Sequence, residues 1–246
     1  SRVQQHPRPR HPAEHLVARP RAGESDPVAQ PELPDRRLEA TGLAAAPDQD
    51  RPPAAAVRRQ GGEIKRYEPV APSPVPLTPK DKVPRELTTG EVEGLVEKFA
   101  DAACRARDAG FDMVELHGCH GYLLSGFLSP LTNLRSDRYG GTVANRARFV
   151  VEIVRLIKER AGRDFPVSVR MNGSDYMPGG TTVDMARETA KLLEDAGADM
   201  IGVSGGAYGS YPVIVPPYDQ PRGSNVPLAA AIKEVVKVPG AVAGRL

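Results

Sequence analysis

Cysteine is scarce: Cys104 and Cys119 are the only two in 246 residues. Two thiols cannot build the disulfide framework of a small secreted fold, and no C-x-x-C pair offers a structural zinc or an iron–sulfur cluster. A reducing, cytoplasmic setting is the expectation. The chain also lacks an apolar run near the 18 residues of a membrane helix, and a charged start followed by an apolar stretch, so neither export nor membrane insertion is expected. Charge of one sign is not in excess: 33 basic residues face 31 acidic ones, for a net charge of +2. No global field draws such a chain to nucleic acid or a membrane surface, and the expected partner is a small-molecule substrate.

Absences also divide the chain. Residues 1–60 hold ten Pro, ten Arg and eleven Ala but no Lys, Ile, Met, Phe, Tyr or Trp. Such a segment cannot bury enough apolar surface to offset its ordering entropy, so disorder is expected there. A shifted reading frame of a GC-rich gene would give the same composition, because it favours Arg, Pro and Ala and starves Lys and Ile. Translating the other two frames separates the readings: without a strand-and-helix pattern in either, the frame-shift reading falls. Residues 61–246 are expected to form one domain.

What is present in that domain is periodic. After the connector PVAPSPVPLTP, Thr88 and Glu91 have the spacing of a capping box, and Val92, Leu95, Val96, Phe99, Ala102, Ala103 and Ala106 mark one buried helix face ended by Gly110. A strand FDMVELH, a long loop and a helix with Val150, Ile153, Val154 and Ile157 on one face follow. Then come the strand PVSVRM, a helix over 182–196, the strand DMIGVS, a helix over 227–236 and the strand GAVAG. Alternating strands and helices imply a parallel sheet with right-handed crossovers. Within the strands, Met113, Glu115 and His117 oppose Val114 and Leu116, while Ser168 and Arg170 oppose Val167 and Val169. One apolar and one mixed face suit a TIM (β/α)8-type barrel, and no G-x-G-x-x-G follows a strand to support a dinucleotide-binding sheet.

Histidine is sparse too, with five in all, yet His117 and His120 stand three residues apart and Tyr122 two further on. At a barrel mouth two imidazoles can donate hydrogen bonds to one oxygen, polarising a carbonyl or holding an oxyanion, and a phenol can supply a proton. His117, Cys119 and His120 could instead ligate zinc, although the spacing gives no helix register and no H-E-x-x-H motif is present. A third reading has the histidines capping backbone groups around a turn. Arg170, facing inward from the next strand, needs an anionic or carbonyl partner; either Glu115 or a cofactor that gains negative charge would serve.

The string HGCHGYLLSGFLSPLTNLRSDRYGGTVANRARF, continued by PVSVRMN and more loosely by PVAPS and VAGRL, closely resembles the Old Yellow Enzyme family of FMN-dependent oxidoreductases over residues 66–246. The resemblance implies an NAD(P)H-dependent flavoprotein that passes a hydride through FMN to an activated alkene, an enone or an enoyl thioester. It assigns His117 and His120 to the substrate carbonyl, Tyr122 to proton delivery and Arg170 to the N1 and C2 edge of FMN. Gly244 and Arg245 fall where the FMN phosphate is expected. No metal is implied. Tyr139, Gly140, Gly141, Asn145 and Arg146 match the string and are read as the turn and helix start that hold the loop; Ala144 replaces the usual acidic residue.

Two departures define a second expectation. The family's Gln-Leu-x-His-x-Gly-Arg string is not found around RRQGGEIKRY, and the Gly-Arg after its last strand is absent, so the barrel is expected to be incomplete, lacking early strands and the last one. Unpaired edges would then make the chain a non-catalytic remnant unable to retain FMN.

Overall fold

The computed structural model describes residues 57–60, 63–66, 68–77, 80–218 and 220–245. The expectation for residues 1–60 therefore lies, apart from 57–60, outside the described residues. Those four form β1 (Val57–Gln60), antiparallel to β2 (Glu63–Arg66), so a strand pairing spans the boundary placed at residue 61. In the PVAPS segment β3 (Val70–Ala71) runs parallel to β4 (Arg85–Glu86).

The capping box forms as its spacing requires. Thr88 Oγ1 accepts from the Glu91 amide at 3.2 Å, and the Glu91 carboxylate accepts from the Thr88 amide at 2.8 Å, starting α1 (Thr89–Asp108). Every residue of the expected face is buried, and Gly110 at φ +85° ends the helix. The strand after it starts later than the sequence suggested. The Phe111 amide is spent on the Ala106 carbonyl in the closing turn of α1, so Phe111 and Met113 stay exposed and β5 runs only over Val114–Gly118.

The remaining elements are α2 (Leu123–Leu128), α3 (Val143–Arg160), β6 (Val167–Asn172), α4 (Val183–Asp195), β7 (Met200–Ser204), α5 (Tyr211–Ile214), α6 (Val226–Lys233) and β8 (Gly240–Val242). Their main sheet is parallel, and its spatial order β5-β6-β7-β8 repeats the chain order. Successive helices pack on one another, α1 on α3, α3 on α4 and α4 on α6, which places them on one face. A doubly wound sheet reverses its order and covers both faces; one-sided helices on strands in chain order make the (β/α) barrel arrangement.

The core lies between sheet and helices. Val114, Leu116, Val167, Val169, Ile201 and Val203 meet Val92, Phe149, Ile153, Ile157 and Leu193, all buried. Phe149 lies tilted against Phe127 with ring centroids 4.6 Å apart, and is T-shaped to Phe99 at 6.2 Å. Strand parity then puts Glu115, His117, Ser168, Arg170, Asn172, Gly202 and Ser204 on the other face, toward the barrel interior. Among the described residues no helix is long and apolar enough to cross a membrane.

Candidate functional site

Register builds the site. His117 of β5 is paired with Arg170 of β6, and Arg170 with Gly202 of β7. A Cβ on Gly202 would lie 3.4 Å from the Arg170 Cα, Cβ and Cγ, so the arginine stem packs closely over this glycine. Arg170 Nη2 forms an ion pair with Glu115 Oε1 at 2.9 Å, and Ser168 Oγ donates to Glu115 Oε2 at 3.2 Å. The pair is partly open, with side-chain exposures of 37% and 32%, so its own contribution to stability is small. The acidic partner offered by the sequence is in place, and a guanidinium carries five N–H groups, enough to serve Glu115 and a ligand together.

His120 reaches across the strand ends. It sits in left-handed backbone at φ +66°, its amide donates to Asn172 Oδ1 at 3.3 Å, and its Nε2 is 2.8 Å from Ser204 Oγ at the end of β7. The His117 ring lies 5.3 Å from that of His120 and 5.2 Å from that of Tyr122, and Tyr208 meets Tyr122 edge-on at 5.7 Å. His117, His120, Tyr122 and Arg170 thus share one rim, at the C-terminal ends of β5, β6 and β7.

Burial sets the protonation of His120. Desolvation first, then the nearby His117 and Arg170, push His120 down from 6.5 to about 4, so its imidazole is neutral at ordinary pH. Unfolded His120 takes a proton below about pH 6.5 and the folded one only below about pH 4. The unfolded chain therefore binds more protons in that window, and the folded state loses stability as pH falls through it. A ring-nitrogen NMR titration is expected to place the His120 midpoint near pH 4; a midpoint at the free-imidazole value would contradict the buried setting. Cys119, fully buried, is raised to about 12, chiefly by desolvation, and is a protonated thiol at neutral pH.

Asp175, 1% exposed, ties the loops together. Its carboxylate accepts from Ser129 Oγ at 2.7 Å, the Thr181 amide at 2.8 Å and Asn172 Nδ2 at 2.9 Å; Asn172 Nδ2 also donates to the Gly206 carbonyl at 2.9 Å. These bonds join the segments after β5, β6 and β7 beneath the His120 backbone. Asn172, Ser204 and Asp175 were missed in the sequence; for the first two, the signal was parity with Arg170 and Gly202 at strand ends.

The Tyr-Gly-Gly turn and the helix start after it hold the loop through their own contacts. Arg146 is buried and donates to the Leu128 and Gly141 carbonyls, Thr142 caps α3 through the Asn145 amide, and buried Tyr139 donates to Glu152 at 2.7 Å. After β8, Gly244 lies at φ +130°, where a Cβ would come within 2.8 Å of Asn225 Nδ2. The Arg245 carbonyl accepts from the Gly223 amide, which brings this segment against Ser224. Arg245 Nε and Ser224 Oγ are buried there, and among the described residues neither has a hydrogen-bond partner.

Comparison with known proteins agrees with this architecture. The model of the NADH:flavin oxidoreductase / NADH oxidase family matches residues 51–245. An NADH oxidase of Thermoanaerobacter brockii is 47% identical over 178 residues, 72% of this chain and 27% of that protein. A 2-naphthoyl-CoA reductase in complex with 2-naphthoyl-CoA superposes with a TM-score of 0.69 at 32% identity, over 77% of this chain and 29% of that one. The Old Yellow Enzyme homologue of Zymomonas mobilis superposes with a TM-score of 0.59 at 28% identity, over 73% of this chain and 52% of that one. The chain thus spans about a quarter to a half of the length of the proteins it matches. A barrel sheet with this rim, over a family match that takes in every rim residue, makes the chain a member of the NADH:flavin oxidoreductase / NADH oxidase family.

Proposed function

We propose that this chain carries the FMN-binding and substrate-binding rim of an NAD(P)H-dependent oxidoreductase acting on an activated alkene, either an enone or an enoyl thioester. The observation that carries the reading is the register pairing of His117 with Arg170, which sets an imidazole and a guanidinium side by side on the interior face. FMN fits the residues present. Arg245 Nε and Ser224 Oγ are buried donors without partners, beside a glycine whose Cβ would crowd the loop, and together they suit a phosphate. Arg170 offers a fixed cation to a ring edge that gains negative charge.

When bound, FMN would supply the hydride chemistry, taking a hydride from NAD(P)H and giving it to the β-carbon of the alkene. The chain's own residues do the rest. His117 and His120 donate hydrogen bonds to the substrate carbonyl oxygen, which draws electron density from the alkene; in a dry site each such donor contributes on the order of 3 kcal/mol. Ser204 fixes one nitrogen of His120 and leaves the other to face a ligand. Tyr122, held between His117 and Tyr208, delivers the proton to the α-carbon, a step of about 10² to 10⁴-fold in rate.

The purified chain is expected to show stoichiometric oxidised-flavin absorbance, and a phenol, as a carbonyl-oxyanion mimic, is expected to perturb it on titration. His117→Ala should weaken that phenol by about ten- to a hundred-fold, the loss of one charge-assisted hydrogen bond. A colourless, protease-sensitive chain would support the non-catalytic alternative, and equal phenol affinity in the variant would remove His117 from the proposed role.

A further inference from the structure

The proposed chemistry leaves one side chain between His117 and Tyr122 without a task. Cys119 is fully buried, yet its Sγ lies 3.8 Å from each ring nitrogen of His117, and the ligand atoms of His117, Cys119 and His120 all fall within 4.8 Å of one another. We propose that this trio binds one thiophilic metal ion, with Zn²⁺ as the reference probe, and that the bound ion closes the rim to substrate.

Zinc takes nitrogen at about 2.0 Å and sulfur at about 2.3 Å in a tetrahedron, which sets neighbouring donors about 3.5 Å apart. The trio needs to contract by about an ångström to meet that geometry, within the reach of small side-chain rotations. The left-handed backbone of His120 turns its ring back beside Cys119, which chain spacing alone does not require. An outer partner is already in place: Ser204 Oγ lies 2.8 Å from His120 Nε2, the kind of hydrogen bond that orients a ligating imidazole and leaves Nδ1 for the metal. Three protein ligands leave a fourth position for water. On binding, Zn²⁺ displaces the thiol proton of Cys119 to solvent and forms a zinc–thiolate bond; no electrons are transferred. The Arg170 guanidinium opposes a second positive charge at the rim, and Glu115 at 2.9 Å offsets it. That balance fits a reversible inhibitory site rather than a structural one.

Occupancy engages both imidazoles that would otherwise meet the substrate carbonyl, so zinc acts as a competitor of substrate. This consequence rests on the proposed function, whereas the site itself does not. Equilibrium dialysis of the purified 246-residue chain against Zn²⁺, followed by metal analysis, is expected to find one ion per chain. Co²⁺ is expected to give a thiolate-to-cobalt charge-transfer band in the near ultraviolet. Cys119→Ala should abolish that band and lower zinc affinity by about a hundred-fold or more, and Ser204→Ala by about ten-fold. Phenol binding should persist in Cys119→Ala. Absence of the cobalt band from the unmutated chain overturns the proposal without any variant, as does unchanged zinc affinity in Cys119→Ala. Zinc binding of this kind in a chain that takes up neither flavin nor phenol would keep the site and remove the proposed function; the reverse pattern would remove the metal site alone.

Discussion

Arg135→Met is expected to lower the free energy of unfolding by about 3–5 kcal/mol, the range for removing one member of a buried charged network. The Arg135 side chain is 4% exposed and serves several elements at once. It donates to the Pro72 carbonyl after β3, to the Leu87 carbonyl after β4 and to both oxygens of Asp137, and it pairs with Glu86 at 3.3 Å. Methionine keeps much of the apolar stem but none of the donors, so two buried carbonyls lose their partner and Asp137 loses its cation. The effect has a pH signature. Asp137 is held down from 3.8 to about 2, first by its hydrogen bonds from Arg135, so its contribution is present above pH 3.8 and is lost as pH falls through about 2. The variant should lose that acid limb. Urea denaturation at neutral and acid pH checks both parts, and a loss below about 1 kcal/mol would show that the loop holds without its arginine.

The same residue shows where the sequence was legible and where it was not. Helix faces were readable because burial repeats with the turn of the helix: each apolar position predicted for α1 and α3 is buried. The inward strand face was readable because side chains alternate, which put Glu115, His117 and Arg170 on one side before any contact was known. Arg135 and Asp175 carry no such period. Each takes its role from segments far apart in the chain: Arg135 from residues 48 to 63 positions away, Asp175 from Ser129, 46 positions away. Gly140 gives no local signal either, yet a Cβ there would lie 2.1 Å from the Arg135 carbonyl oxygen, so the glycine of the Tyr-Gly-Gly turn is set by the arginine before it. Spacing without a helix register gave no sign that the donor atoms of His117, Cys119 and His120 meet; with left-handed backbone at His120 they lie within 4.8 Å of one another.

Arg170→Ala is expected to reduce FMN affinity by about ten- to a hundred-fold or more, from the loss of a charged hydrogen-bond donor, and to make any retained flavin harder to reduce. The ion pair with Glu115 supplies a rival account in which Arg170 serves only to neutralise an acid inside the barrel. Glu115→Gln separates the two. Glutamine keeps the shape and an acceptor for Ser168 Oγ but removes the negative charge, so Arg170 keeps its place while its acidic partner is gone. A guanidinium aimed at a ligand should then hold FMN as well as before or better, because it no longer shares its charge with a carboxylate. A guanidinium present only for Glu115 predicts equal damage from both variants, through the same broken pair. The double variant completes the cycle: nearly additive effects on flavin affinity place the arginine's work at the ligand, whereas a double variant no worse than either single one places it at Glu115. Arg170→Lys is the stricter form of the test. Lysine retains the charge but not the planar fork, so recovery of flavin affinity by lysine would mean that charge alone suffices, and failure would mean that the ring edge needs the paired N–H groups of arginine.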